Sequence, residues 1–433
     1  MHDANNAAAR CAFLAVAMVS LGGTQCTTYG QRAHQDPRLV EKIESLGGEV
    51  YYDYQVSPPG TPGPERMRRK LSEPPNPQLV AQLGVDRVHR VEGAYLLDAN
   101  RESLGAVAQI PHVTELFVFN GPRVGAASPP KGYVFLHDED LSLLAQMPQL
   151  VDLTIGCDEV TAKGLVHLQR LTRLKMLRLH HMDLSSSKPL PLGHLKELTH
   201  LSITYANVGD EGVSFIAELA ENLKSATFAG NRITDDGLEQ FKPLRNLEQL
   251  DLPAGITCQG LKHLTSMPSL ENLTLRGKYI DDECMPLVVD MMLRRLELHE
   301  TTVTNEGLRK LAESNTLERL FIRRSRVTDD GIGVLAEIPS LQEVDIDVGH
   351  VALKRLGLKR PDLEGVDKPI GYAVWWPVAV DDIDLSGAEL DALKKAGDER
   401  PIGWLAKRGK RQPIRPSHIQ VTGEVLEQLR SMQ

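Results

Sequence analysis

Three groups of residues in this 433-residue chain have the types that do chemistry: the histidines His180, His181 and His200 with Arg178 and Tyr205, the cysteines Cys157, Cys258 and Cys284, and the pair Ser185 and Lys188. Imidazoles could ligate a metal, thiols could ligate or cross-link, and a serine three residues before a lysine could be a nucleophile with its base. Spacing argues against each. A zinc ion needs ligand atoms at about 2 Å. On neighbouring strands His180 and His200 fall four residues out of register, about 13 Å apart at the usual rise per residue. His181 beside Tyr205 reads as an ordinary surface pair. The three cysteines show no C-x-x-C spacing, so they are expected to be isolated thiols, neither a zinc site nor a disulfide. Ser185-x-x-Lys188 lacks companion S-D-N and K-T-G segments, and no phosphate loop, H-E-x-x-H or nucleophile elbow occurs. The carboxylate groups Asp345/Asp347 and Asp381/Asp382/Asp384 lie on expected strands. No catalytic residue, metal or cofactor is expected.

What must position these residues is a repeat. Leu150, Leu174, Leu198, Leu223, Leu247, Leu270, Leu293, Leu317 and Leu341 each open a block of the form L-x-x-L-x-L, at intervals of 23 to 25 residues. Within a block, Leu247, Leu250 and Leu252 give the pattern of a short strand with one buried face. An apolar residue and a polar turn follow, as in Thr234-Asp235-Asp236-Gly237, Thr304-Asn305-Glu306-Gly307 and Thr328-Asp329-Asp330-Gly331. This turn reads as a helix start, with a Thr or Asp oxygen accepting from a first-turn amide and acidic residues at the positive end. Leu238, Phe241 and Leu244, three apart, then predict a short helix or 3₁₀ segment. Pro148, Pro268 and Pro339 end such segments. One strand and one short helix cannot bury their own apolar faces, so the units must stack. Parallel strands then line a concave side and helices a convex one.

These blocks resemble the leucine-rich repeat family, most closely its ribonuclease-inhibitor-like and F-box-like subclass with T-D-x-G-L turns, and exported bacterial proteins of that kind. The resemblance covers residues 113 to 366 and implies an α/β solenoid that binds other molecules without catalysis. The family's polar turn position is Asn231 in one unit but Met182, Ala206 and Gly255 in others, so the polar ladder is expected to be incomplete. Irregular turns are expected at Asp183 to Pro189 and at Glu283-Cys284.

At 41% hydrophobic and 25% charged residues the chain has the composition of a globular protein, and a net charge of −9 gives no nucleic-acid signature. Arg10 precedes an apolar run, Cys11 to Leu21, of signal-peptide length and too short to span a bilayer. Residues 1–30 are therefore read as a signal peptide and mature terminus of an exported protein. Lipid anchoring at Cys26 is disfavoured by Gln25 before it. Residues 31–57 form an expected helix–strand cap, with Asp36-Pro37 starting the helix, Leu39, Ile43 and Leu46 its stripe, Gly47-Gly48 its stop, and Val50, Tyr52, Tyr54 and Val56 a strand. Residues 58–80 read as a proline-rich loop, 81–366 as the array, and 367–433 as a C-terminal cap with all three tryptophans and a basic tail.

The polar residues between the leucines point onto the concave face, and equivalent positions become lateral neighbours. One expected partner surface comprises Arg295, Glu297, His299, Glu300, Arg319, Phe321, Arg323 and Arg324. Arg319 falls beside Glu343, Glu300 beside Arg324, and Arg323 between His299 and Asp347. A second patch is Arg178, His180, His181, His200 and Tyr205. Opposite charges there can pair across strands and simply hold a solvated sheet, or Arg and aromatic side chains can anchor a partner. The reading is a non-enzymatic protein- or peptide-binding scaffold. Its rivals are a glycan-binding or enzyme-accessory envelope module using the tail tryptophans, and an intracellular F-box-like adaptor.

Overall fold

The computed structural model describes residues 36–53, 89–121 and 134–346 and a few isolated positions between 55 and 85. The expected leader, Cys26, Asp347, the later expected repeat units, the expected tail and all of the expected 58–80 loop but Pro77 and Val80, which are helical, lie outside the described residues.

Helix α1, Pro37–Ser45, begins where the Asp36 carboxylate accepts from the Arg38 amide, and proline occupies the first turn. It buries Val40 and Ile43. Gly47, at φ +80, turns the chain into strand β1, Gly48–Tyr52. The strand is shorter than the alternation through Val56 predicts, because the chain turns at Asp53. β1 runs antiparallel to β2, Val91–Leu96, and closes the first edge of the sheet. Helix α2, Arg101–Ala108, is capped by Asn100 and Ser103, each bonding the other's backbone.

From β2 onward each strand runs parallel to the next, in chain order: β3 Glu115–Asn120, β4 Asp152–Cys157, β5 Met176–His180, β6 His200–Thr204, β7 Ser225–Thr227, β8 Gln249–Asp251, β9 Asn272–Arg276, β10 Arg295–His299, β11 Arg319–Arg323 and β12 Glu343–Ile346. Leu201, Ala226, Leu250, Leu273 and Leu296 are direct lateral partners across five strands, and all are buried. Short helices and 3₁₀ segments return the chain on the other side of this leucine-lined interior. The architecture is a leucine-rich repeat solenoid, each coil covering the apolar face its neighbour cannot bury alone.

The T-D-x-G turn does more than start a helix. Thr257 and Thr304 do cap, accepting from the Gln259 and Glu306 amides. The acidic residue, however, reaches into the next coil. Asp235 accepts from the Thr257 amide at 2.8 Å and from its hydroxyl at 2.5 Å. Asp138 does the same to Thr161, Asp210 to Thr234 and Asp282 to Thr304. Asn305 accepts from the Thr328 amide and donates to its hydroxyl. The glycine of the next coil is there for space, not for backbone freedom: a methyl group on Gly237, Gly260, Gly307 or Gly331 would collide with that same Asp or Asn side chain. Thr, Asp and Gly thus form one rung that ties adjacent coils.

The two turns expected to be irregular both interrupt the rung. At Asp183 the chain makes the irregular turn expected through Pro189, and Asp183 bonds Ser185 and Asn207 instead. At the coil beginning near Leu270 the sequence predicts a second irregular turn, but the chain forms a 3₁₀ turn, Asp282–Cys284, running into a helix, Met285–Asp290. Cys284 there is joined to Cys258 by a disulfide, so the expectation of isolated thiols is wrong for this pair. The cysteines lie 26 residues apart in sequence, one repeat plus the two-residue offset between the Asp and Gly positions of a rung; only stacking the coils reveals their contact.

Candidate functional site

Because side chains alternate along a strand, the concave face carries three rows. The first runs Gly93, Glu115, Asp152, Met176, His200, Ser225, Gln249, Asn272, Arg295, Arg319, Glu343. The second runs Tyr95, Phe117, Thr154, Arg178, Ser202, Thr227, Asp251, Thr274, Glu297, Phe321, Asp345. A third, broken row holds Phe119, Gly156, His180 and Thr204 at one end and Arg276, His299 and Arg323 at the other.

At the C-terminal end the expected cluster is assembled. Arg295 donates to Glu297 at 2.7–2.8 Å and lies over the Phe321 ring, 4.3 Å from its centre. His299 Nε2 bonds the other Glu297 oxygen at 3.1 Å. The bond from His299, aided by Arg295 and outweighing burial, holds the Glu297 carboxyl down at about 2. Arg323 pairs with Asp345. This is a diagonal partner one step short of Asp347, where the sequence register puts its neighbour. Arg319 stands between Arg295 and Glu343 and makes no side-chain ion pair among the described residues. Glu300 and Arg324 do pair, at 2.6 Å, but one residue past their strands. Both adopt left-handed backbone, φ 57 and 54, so they stand where the strands end rather than in the three rows.

The second patch divides. Arg178 donates to the buried Asp152 at 2.8 Å and to Thr154. His180 bonds the Thr204 hydroxyl at 2.6 Å. Burial, reinforced by Arg178 and His181, lowers the His180 imidazole to about 4, and burial lowers His200 too. His200 lies opposite Met176, four residues from His180 along the strand, so the two do not converge on a metal. His181 and Tyr205 follow their strands in left-handed conformations and stack at 5.2 Å, nearly parallel. Ser185 donates to Asp183 while Lys188 pairs with Glu211, so the serine and lysine are not coupled.

Sequence reasoning missed an aromatic cluster at the other end. Tyr95 lies 5.8 Å from Phe117 and 5.7 Å from Phe119, ring to ring, and the Phe119 ring covers Gly156. Tyr51 joins from β1, its Cβ 3.5 Å from where a side chain on Gly93 would begin. Burial, with Glu49 nearby, raises its phenol to about 12. The alternation Glu115-Leu-Phe-Val-Phe119 carries the signal, but the first strand of a degenerate array has no preceding leucine ladder to fix its register.

The Leucine Rich repeat family model matches residues 194–217, the coil that holds β6. Over 85 residues, 19% of the chain, it is 32% identical to the Acidic leucine-rich nuclear phosphoprotein 32-related protein 2 of Caenorhabditis elegans, and it spans about 37% of that protein's length. Among solved structures it is similar to an internalin from Listeria monocytogenes, with 15% identity and a TM-score of 0.39, over 66% of this chain and 92% of that one. Internalin C2 of the same organism matches at 18% identity and a TM-score of 0.31, over 57% and 84%. No helix among the described residues is long and apolar enough to cross a membrane.

Proposed function

We propose that this chain is a non-catalytic scaffold, exported from a bacterium, whose concave strand face engages another protein or a peptide. The observation that carries the reading is the state of the cations around Phe321. Arg295, Arg323 and Arg324 are each engaged by a carboxylate, whereas Arg319, lateral to Arg295 and two residues before the half-buried Phe321, has no such partner among the described residues. An arginine next to an aromatic side chain, on a rigid surface, is the usual make-up of a binding anchor. The paired arginines hold that surface in shape and can exchange partners on docking. Export is supported by the apolar segment after Arg10.

A photo-crosslinking side chain at Phe321 tests this, with the same side chain at the exposed convex residue Val166 as control. Envelope extracts should yield a discrete adduct from position 321 alone, and Arg319→Glu, or alanine at Arg295, Arg323 and Arg324 together, should abolish it. Equal labelling from both positions, or an adduct that survives both changes in folded protein, refutes the surface assignment.

A further inference from the structure

The second broken rung is broken in an orderly way. Where other coils carry Asp235, Asp282 or Asn305, this one carries Cys258; where the next coil should supply threonine and glycine, it supplies Asp281 and Cys284. All three members of a single Asp–Thr–Gly rung are therefore replaced together. Cys284 fills the space that glycine leaves open elsewhere, and the pair is joined there as a disulfide, with Cα atoms 4.9 Å apart. Asp281 Oδ1 lies 3.5 Å from one sulfur and 3.7 Å from the other. The ligand atoms of the three residues all fall within 4.8 Å of one another. Asp281 also caps the Glu283 amide, but Thr257 and Thr304 cap their own turns equally well without a charge. A carboxylate against two sulfurs repels their thiolates unless a cation is shared among them.

We infer that the reduced form of this rung is a metal site, with Cys258 Sγ, Cys284 Sγ and Asp281 Oδ1 as ligands for a borderline-soft divalent transition ion of the zinc class, so that two coils are clasped by a disulfide when oxidised and by a metal when reduced. Two thiolates and a carboxylate suit such an ion, and in a tetrahedral site its sulfurs stand about 3.8 Å apart, reached by side-chain rotation alone. Water takes the fourth position, because Asp281 is exposed and Cys258 partly so. A dithiol reductant supplies two electrons and two protons to break the sulfur–sulfur bond and leaves as its own disulfide. Metal binding then releases the two thiol protons to solvent. Cys157 is buried in another coil, its thiol pushed up to about 12 by burial, and takes no part.

The probe is Co²⁺ added to the full-length chain with Cys11→Ser and Cys26→Ser, natively folded, before and after treatment with a reductant. Alkylation and mass spectrometry report the state of Cys258 and Cys284. The reduced chain should bind one Co²⁺ with sulfur-to-cobalt charge-transfer absorption that Zn²⁺ displaces, and the oxidised chain should give none. Cys258→Ser should remove the absorption, and Asp281→Asn, which keeps both sulfurs and the cap, should weaken binding roughly 10- to 100-fold. The inference is overturned by a native disulfide that resists reduction, a reduced pair without the absorption, a signal that survives Cys258→Ser, or equal affinity in Asp281→Asn. The asparagine variant decides the matter should Cys258→Ser not fold.

Discussion

Replacing Asp235 by alanine tests whether the acidic residue of the repeat is a tie between coils or only a helix-start charge. In the structure its two oxygens accept from the amide and the hydroxyl of Thr257, both partly buried. Hydrogen bonds to a charged group contribute about 1.5–3 kcal/mol each. The freed hydroxyl still faces the Gln259 amide and can recruit water, so it loses less than the amide does. The expected destabilisation is about 2–4 kcal/mol, measured as a fall in urea midpoint at constant slope. Asparagine separates the explanations. Asn305 already makes the same rung to Thr328 with its amide group, so Asp235→Asn should cost less than about 1 kcal/mol. A helix-start charge alone is worth only about 0.3–1 kcal/mol and is lost equally in both variants. An alanine variant within about 0.5 kcal/mol of the parent, or an asparagine variant as unstable as the alanine one, would refute the rung.

Gly307→Ala should destabilise by about 1–3 kcal/mol, since the added methyl meets the Asp282 carboxylate, and pairing it with Asp282→Ala should recover part of the loss in a double-mutant cycle. His180 titrates at about 4 in the fold against 6.5 unfolded, so the unfolded chain binds the extra proton first. Its contribution is complete above pH 6.5 and is lost as pH falls from there to 4. His180→Gln should flatten urea midpoints across that window, and an unchanged slope would contradict the burial account. Glu297, held at about 2, contributes stability above its ordinary 4.5 that disappears as pH drops toward 2. Glu297→Gln should therefore narrow the gap between pH 5 and pH 2.5 in denaturation experiments.

The fold was legible because the spacing of Leu150 to Leu341 repeats a unit that has one way to bury itself. The lateral neighbours were legible for the same reason: once Leu250 and Leu273 share a rung, Arg295 must stand beside Arg319. What escaped the sequence was two-body contact between coils. Nothing within Thr234-Asp235-Asp236-Gly237 says that the aspartate serves Thr257 and that Gly260 makes room for it, and nothing within Cys258 or Cys284 says that they meet. The corner residues Glu300 and Arg324 were read as strand-face groups because alternation is silent about the left-handed residue that directly follows β5, β6, β9, β10 and β11. The aromatic end was missed because β2 and β3 precede the regular leucine spacing.

The three side-by-side rows also constrain how a guest can be read. Adjacent rungs of the sheet are about 4.8 Å apart, whereas an extended peptide lengthens by about 3.4 Å per residue. The two rulers come back into step only after roughly five rungs and seven residues. A chain threaded along the curve therefore cannot be matched one residue to one coil. A guest that touches both the tyrosine–phenylalanine end and the arginine end meets the coils between them out of register.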